Sequence, residues 1–201
     1  MKHTRNELSG GLRLMWIEEC SALTMSTAGT LALILPAFAP DALELIVLLT
    51  LAATLVGFVG AAMGLAGLWR LRGEHRDYKI ALAVAVVRLI CAIFRPRSMG
   101  MPASALGLAI ALFALLVVYL VVRTTNDFLS GDSQEPLRTE GKQALCVWAV
   151  ATVVSLASNA WAVMSAGKAG GWIRVVITQT IVIVSEALYL IYLKHSSEAL
   201  A

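Results

Sequence analysis

The sequence carries little charge for its length. Of its 201 residues, 14% are charged and 59% are apolar, whereas an average soluble domain has about 25% charged and about 45–50% apolar residues. The mean hydropathy of +0.79 points the same way. Such values are expected when much of the surface faces lipid, so the composition excludes a soluble globular protein. The net charge of +3 is also too small for a nucleic-acid-binding protein.

Cysteine is scarce as well. The three cysteines, Cys20, Cys91 and Cys146, are far apart, and each lies in an apolar segment. No C-x-x-C pair and no Cys/His spacing indicates a zinc, haem or redox site. The sequence therefore predicts neither a metal site nor a cofactor, and we interpret the cysteines as small buried apolar residues.

The motifs of common enzymes are missing too. The sequence has no H-E-x-x-H, no G-x-S-x-G, no P-loop and no paired intramembrane aspartates, which are patterns that position catalytic groups. All three histidines lie near a terminus or in a predicted loop. We therefore do not expect an enzyme. Because the chain has no P-loop to bind ATP, active transport by such a chain would need a partner subunit or an ion gradient.

Long apolar runs are what the sequence does contain. A helix needs about 20 apolar residues to cross about 30 Å of hydrocarbon. The runs are continuous and lack the period-two alternation of barrel strands, so they predict helices. We predict an all-α, polytopic membrane helical bundle forming a single transmembrane domain over 1–201, with spans at about 16–39, 45–69, 79–95, 102–122, 143–165 and 172–193.

The third of these six spans has the weakest support. Segment 80–94 is short and holds Arg88 near its middle, and a central arginine costs about 2.5–3.5 kcal/mol on insertion. If the segment lies along the inner surface instead, the bundle has five spans and an external C-terminus. We favour six spans because a spanning segment would bring Arg88 close to Glu186 of the last span, and charges at such depth are usually paired.

The distribution of bases predicts the orientation. Lys2, Arg5 and Arg13 precede the first span, and segment 70–79 carries four further bases, whereas the first predicted loop, 36–44, has acids and no base. Cytoplasmic loops carry the excess of Lys and Arg. The chain is therefore predicted to be a multi-pass protein of the cell membrane with a cytoplasmic N-terminus.

Small residues recur on single helix faces. In the second span, glycines at i, i+3, i+7 and i+10 share one face, and the fourth span has a glycine in a similar stripe. Such faces let helix backbones approach closely. We therefore predict that these glycines pack helices together: Gly57, Gly60, Gly64, Gly67 and Gly107.

Four polar residues inside the predicted spans are the candidate substrate-binding residues: Arg88, Asn159, Gln179 and Glu186. Gln179 and Glu186 are seven residues apart, so they lie on nearly the same helix face. We predict that Arg88 pairs with Glu186. The pattern favours a structural ion pair that locks two helices, with ordinary interhelical hydrogen bonds around it. The alternative, on which the choice of substrate-binding residues rests, is that the four residues line a small polar cavity.

Two adjacent acids lie close to the start of the first span. Glu18 and Glu19 follow Trp16, which suits a position at the membrane interface. Neighbouring helical residues point about 100° apart, so the two carboxylates cannot share one helix face. We expect one of them to be solvated and the other to pair with a base such as Arg13 or one in segment 70–79.

Together these features favour an integral membrane protein that is a small-solute transport subunit or transporter, with a polar site inside the bundle. Its expected partners are the lipid bilayer and a membrane or ATPase subunit, and the chain could also form a homo-oligomer. The competing hypothesis is a non-enzymatic accessory or scaffold protein that binds partner helices through its small-residue faces. A scaffold requires the glycine stripe to face lipid in the monomer, whereas a transporter requires it to be buried internally.

Overall fold

Six α-helices make up the described part of the chain. The computed structural model describes residues 2–39, 42–94, 101–129, 134–164 and 171–201, and no strand occurs among them. The prediction of an all-α helical bundle is confirmed. The helices are α1 (Lys2–Phe38), α2 (Leu43–Leu71), α3 (Arg76–Ile93), α4 (Met101–Phe128), α5 (Glu135–Met164) and α6 (Gly171–Ala199).

Four helices are long and apolar enough to cross a membrane. The qualifying stretches are Leu43–Leu71 in α2, Ala105–Phe128 in α4, Glu135–Ser158 in α5 and Val176–Ala199 in α6. Helix α3 has 18 residues, and at about 1.5 Å per residue its length falls just short of the hydrocarbon thickness. Membrane and transmembrane helices are therefore supported, and the chain is compatible with an integral membrane protein.

Helix α3 runs along α4 and does not lie across the end of the bundle. Tyr78, near the start of α3, is 2.9 Å from Thr125, near the end of α4. Two turns further along α3, Ala85 lines a small cavity together with Val117, which lies two turns earlier on α4 than Thr125. The two helices are therefore antiparallel. This placement favours six helices in the bundle over an arrangement in which 80–94 lies on the inner surface.

The six helices pack as a closed ring. Each helix contacts the next one along the chain, and α6 contacts α1. Helices α1 and α6 are antiparallel, because Ser9 donates to the carbonyl of Ser197 at 2.8 Å and Ser26 donates to Glu186 at 2.9 Å. The ring order makes α1 the neighbour of both α2 and α6.

Helix α1 begins well before the predicted first span of 16–39. Leu8, Leu12 and Met15 are spaced at i, i+4 and i+7, and all three are buried. They form the apolar face of the first turns of this helix. Arg13 interrupts the apolar run without interrupting that face, so the helix extends beyond the apolar run from which the span was predicted.

Burial is confined to one half of the ring. One end of the ring, which we call the basic end, brings together the N-terminus, the α2–α3 turn, the C-terminal ends of α4 and α6 and the start of α5. There, Glu7 pairs with Arg70 at 3.1 Å and His75 contacts Phe128. In every helix the buried residues lie on the basic-end side of the midpoint or within one turn of it. Beyond that level no residue in the described ranges is buried, and we call this part the open half.

The glycine face of α2 lies against α1. At each of its four glycines an added Cβ would meet α1, one turn after another: Gly57 meets Met25, Gly60 meets Ser21, Gly64 meets Glu18, and Gly67 meets Met15 and the carbonyl of Gly11. The absence of side chains allows the close approach of the two backbones. Gly107 is half-buried on α4.

We predict that Gly64→Leu destabilises the bundle, because the new side chain collides with the Glu18 carboxyl group and forces α1 and α2 apart. Overpacking of this kind lowers the free energy of unfolding by about 1–3 kcal/mol. Unfolding of the purified protein in mixed micelles measures the change. Ala62→Leu, on the exposed face of the same helix, is the matched control and should leave the free energy unchanged. Equal stability of the two variants contradicts the close α1–α2 packing.

Candidate functional site

Four charged side chains from three helices meet near the middle of the ring. Glu18 and Glu19 lie on α1, Arg88 on α3 and Glu186 on α6, and Glu19 is within electrostatic range of the other three. We call these four residues the charged cluster. Glu186 lies close to the midpoint of α6, and Glu18 lies at the level of Gly64 on α2, so the cluster sits at the boundary between the packed half and the open half.

Arg88 pairs with Glu18. Its Nη2 donates to Glu18 Oε1 at 3.3 Å, and the arginine side chain is 33% exposed. The predicted pair between Arg88 and Glu186 is therefore wrong. The prediction failed because helical periodicity shows which residues share a face but not which helix that face meets.

Gly64 makes room for this pair. The Glu18 carboxyl group lies directly against the Gly64 backbone, at the position that a Cβ would occupy. The pair thus joins α1 and α3 while it rests on α2. A glycine at this level of α2 is a requirement of the charged cluster as well as of helix packing.

Glu186 accepts a hydrogen bond from α1. Ser26 Oγ donates to Glu186 Oε1 at 2.9 Å, and Glu186 is 7% exposed. Because Glu186 has a hydroxyl as its partner, no cation balances its charge among the ion pairs of the described ranges.

Glu19 is buried next to these groups, with 8% of its surface exposed. We expected Glu18 or Glu19 to be solvated and the other to pair with Arg13 or with a base of segment 70–79. Both parts of that expectation are wrong, since Glu19 is buried and Glu18 pairs with Arg88. The helix register places both acids deeper in the bundle than the start of the apolar run indicated.

Three buried oxygens of this region have no hydrogen-bond partner within the described part of the chain: Glu19 Oε1, Glu186 Oε2 and the Tyr189 hydroxyl. Tyr189 follows Glu186 by three residues, is 2% exposed and lies within electrostatic range of Glu19 and Glu18. Leaving a buried polar group unpaired costs about 1–3 kcal/mol, and more for a charged group. Native proteins usually retain such groups where they have a role beyond packing.

A small cavity adjoins the ion pair. It has a volume of about 20 Å³, and its lining includes Glu18, Gly64, Ala85, Arg88 and Val117. A cavity of about 10–15 Å³ already holds one water molecule. The cavity therefore has room for a single water or for one small polar group in contact with the pair.

A layer of tyrosines closes the ring toward the basic end. Tyr78 is hydrogen-bonded to Thr125 at 2.9 Å, and Tyr192 donates to Asn126 Oδ1 at 3.0 Å. The Tyr192 ring rests on Gly141, where an added Cβ would lie 2.6 Å from it. Burial raises the pKa of Tyr78, which precedes the predicted third span, above its usual range, so its hydroxyl stays protonated. We call these side chains the tyrosine layer.

The remaining predicted substrate-binding residues lie away from the cluster or outside the described side chains. Gln179 is half-buried on α6, two turns from Glu186 into the open half. Asn159 lies on α5, and its side chain is outside the described residues. The structure thus brings Arg88 and Glu186 to one region but gives each a different partner from the one predicted.

Sequence reasoning missed Glu18 and Glu19 as members of the site. A usable signal was present, because the predicted first span of 16–39 already includes both acids. Intramembrane acids are rare and usually functional. The signal was missed because Glu18 and Glu19 were assigned to the membrane interface, where acids are common.

We predict strong coupling between Glu18 and Arg88. Glu18→Ala and Arg88→Ala should each lower the free energy of unfolding, because each leaves a partly buried charge without its partner. The double variant should be no less stable than the worse single variant, which gives a coupling energy of about 1–3 kcal/mol. Arg88→Ala combined with Glu186→Ala is the control pair and should be closer to additive. Simple additivity for Glu18 and Arg88 would remove the ion pair from this account.

Comparison with known proteins assigns no family to the chain. No family model, no curated protein and no solved structure matches it. Its function is therefore to be inferred from its own residues, chiefly those of the charged cluster.

Proposed function

We propose that the chain is a small-solute transporter, or the membrane subunit of one, and that the charged cluster is its ligand site. Charged side chains are expensive in the hydrocarbon region and are usually turned inward to serve a pathway or a binding site. The four side chains of the charged cluster lie together between the helices, near the middle of their length. A multi-pass location in the cell membrane, with the basic end in the cytoplasm, belongs to the same proposal.

The observation that carries the proposal is the pair of unpartnered carboxylate oxygens on Glu19 and Glu186. A structural ion pair needs just two residues, and Glu18 and Arg88 already satisfy each other. Glu19 and Glu186 are two further buried acids, and even with the hydrogen bond from Ser26 to Glu186 each keeps one oxygen whose lack of a partner is costly. A ligand that binds them would remove this cost.

The position of the cluster supports a transport route. Glu19 and Glu186 are the last buried acids before the open half, where the helices pack less closely. Gln179 lies farther along the same side of α6 and could contact a solute on its way in. The open half thus offers a path from one side of the membrane to the cluster.

The tyrosine layer would act as the barrier on the other side. Solute release toward the basic end requires the contacts between Tyr78 and Thr125 and between Tyr192 and Asn126 to separate. Each such hydrogen bond contributes about 0.5–1.5 kcal/mol. Rearrangement of a few contacts of that size is within the range of ligand-driven population shifts.

The glycine face favours this proposal over an accessory or scaffold role. A scaffold would present the stripe from Gly57 to Gly67 to an external partner, but α1 covers these glycines within the chain. A transporter of this length without a P-loop needs an ion gradient or an ATPase subunit to work against a concentration difference. An ATPase partner or a homo-oligomer remains part of the proposal on that ground.

We predict that water reaches the cluster from the open half. The three native cysteines, Cys20, Cys91 and Cys146, are first replaced by alanine. Ser26→Cys and Gln179→Cys should then react with a membrane-impermeant thiosulfonate at least about tenfold faster than a lipid-facing cysteine, because the reactive thiolate forms in water.

Leu55→Cys supplies the lipid-facing control. Leu55 is 62% exposed and lies near the depth of Ser26, since the neighbouring Gly57 rests against Met25. If Ser26→Cys and Gln179→Cys react no faster than Leu55→Cys, the cluster is sealed from water and a transport role is contradicted.

A further inference from the structure

The charged cluster has more negative than positive groups. Glu18 and Arg88 balance each other at 3.3 Å, and Glu19 and Glu186 remain. Among the ion pairs of the described ranges, the Glu18–Arg88 pair is the one that involves this cluster. Burial alone favours the protonated form of an acid that has no cation beside it, and a bound cation would stabilise its charged form.

The unpartnered atoms of the cluster can all accept hydrogen bonds. They are Glu19 Oε1, Glu186 Oε2 and the hydroxyl oxygen of Tyr189. The two acids belong to different helices, α1 and α6, and Tyr189 follows Glu186 by one turn of α6. Glu186 and Tyr189 both lie within electrostatic range of Glu19, so the three acceptor atoms belong to one buried region.

This set of acceptors matches the donors of a primary ammonium group. Such a group carries one positive charge and three N–H donors, and it has no acceptor of its own. An ammonium group would stabilise the charged form of both acids, whereas a neutral or an anionic group would not. No three His, Cys, Asp or Glu side chains within the described ranges are grouped as metal ligands are, so the arrangement suits an ammonium group better than a divalent metal ion.

We propose that the ligand of this site is a small primary amine in its ammonium form, with the ammonium nitrogen bound by Glu19, Glu186 and Tyr189. The inference rests on the proposed transport function and adds the substrate class. The remainder of the ligand would extend into the open half, past Gln179. Arg88 would not contact the ligand, and its role is to balance Glu18 so that only Glu19 and Glu186 are available.

The test measures thermal unfolding of the purified full chain in lipid nanodiscs with three probes of one size. n-Butylammonium is the cation, butyramide the neutral compound and butyrate the anion. Tetramethylammonium chloride holds the ionic strength constant and serves as a cation without N–H donors. n-Butylammonium, at several-fold above its Kd, should raise the Tm by about 2–4 °C, and the other three compounds should not.

Variants identify the site. Glu19→Gln and Glu186→Gln should each abolish the Tm shift with n-butylammonium, and Tyr189→Phe should reduce it. Glu140→Gln is the matched control, because Glu140 is a half-buried acid at the basic end that pairs with His195, and it should keep the full shift. If one of the cluster variants fails to fold, the others still decide the result.

Each contrary result overturns the inference. A shift with n-butylammonium that survives in both Glu19→Gln and Glu186→Gln places amine binding elsewhere. A shift with butyramide or butyrate that depends on these glutamates removes the ammonium specificity but leaves the transport proposal standing. No shift with any probe removes the amine ligand, and the accessibility of Ser26→Cys and Gln179→Cys then tests the transport proposal separately.

Discussion

The ion pair between Glu18 and Arg88, resting on Gly64, is the interaction on which the middle of this bundle depends. It joins α1 to α3 across a glycine of α2, so three of the six helices meet at one point. Breaking a pair of this kind leaves a charge that is costly to keep away from water. The same pair determines the electrostatics of the site, because it commits the arginine to Glu18 and leaves Glu19 and Glu186 without a cation.

The packing of the ring differs on the two sides of the charged cluster. On one side of the charged cluster, the basic end is closed by buried aliphatic residues and by the tyrosine layer, whose hydroxyls are hydrogen-bonded to Thr125 and Asn126. On the other side of the cluster, the described residues of all six helices are half-buried or exposed. An acidic site at such a boundary would have one closed side and one accessible side, which is the arrangement that the transport proposal needs. The amine proposal follows from the acceptors left at that boundary.

Much of the fold could be predicted from the sequence, because continuous apolar runs and the period of the small residues are local features. The spacing of the glycines from Gly57 to Gly67 is enough to indicate which face of α2 packs closely against another helix. The partner of Arg88 could not be predicted in this way, since ring order decides which helices face each other. Run length also misplaced Glu18 and Glu19, because α1 continues through Arg13 as an amphipathic helix. The sequence thus singled out Arg88 and Glu186 but not their partners, and it did not predict Glu18 and Glu19 as members of the charged cluster.

The most direct test of this account is an experimental structure of the full chain in lipid nanodiscs, at a resolution that separates the carboxylates of the cluster. The account predicts an Arg88 guanidinium within about 4 Å of the Glu18 carboxylate, with Glu19 and Glu186 on the other side and no basic side chain beside them. An Arg88 that contacts Glu186, or a lysine or arginine that reaches Glu19, would contradict it. Either outcome would leave the site without the excess negative charge on which the proposed ligand depends.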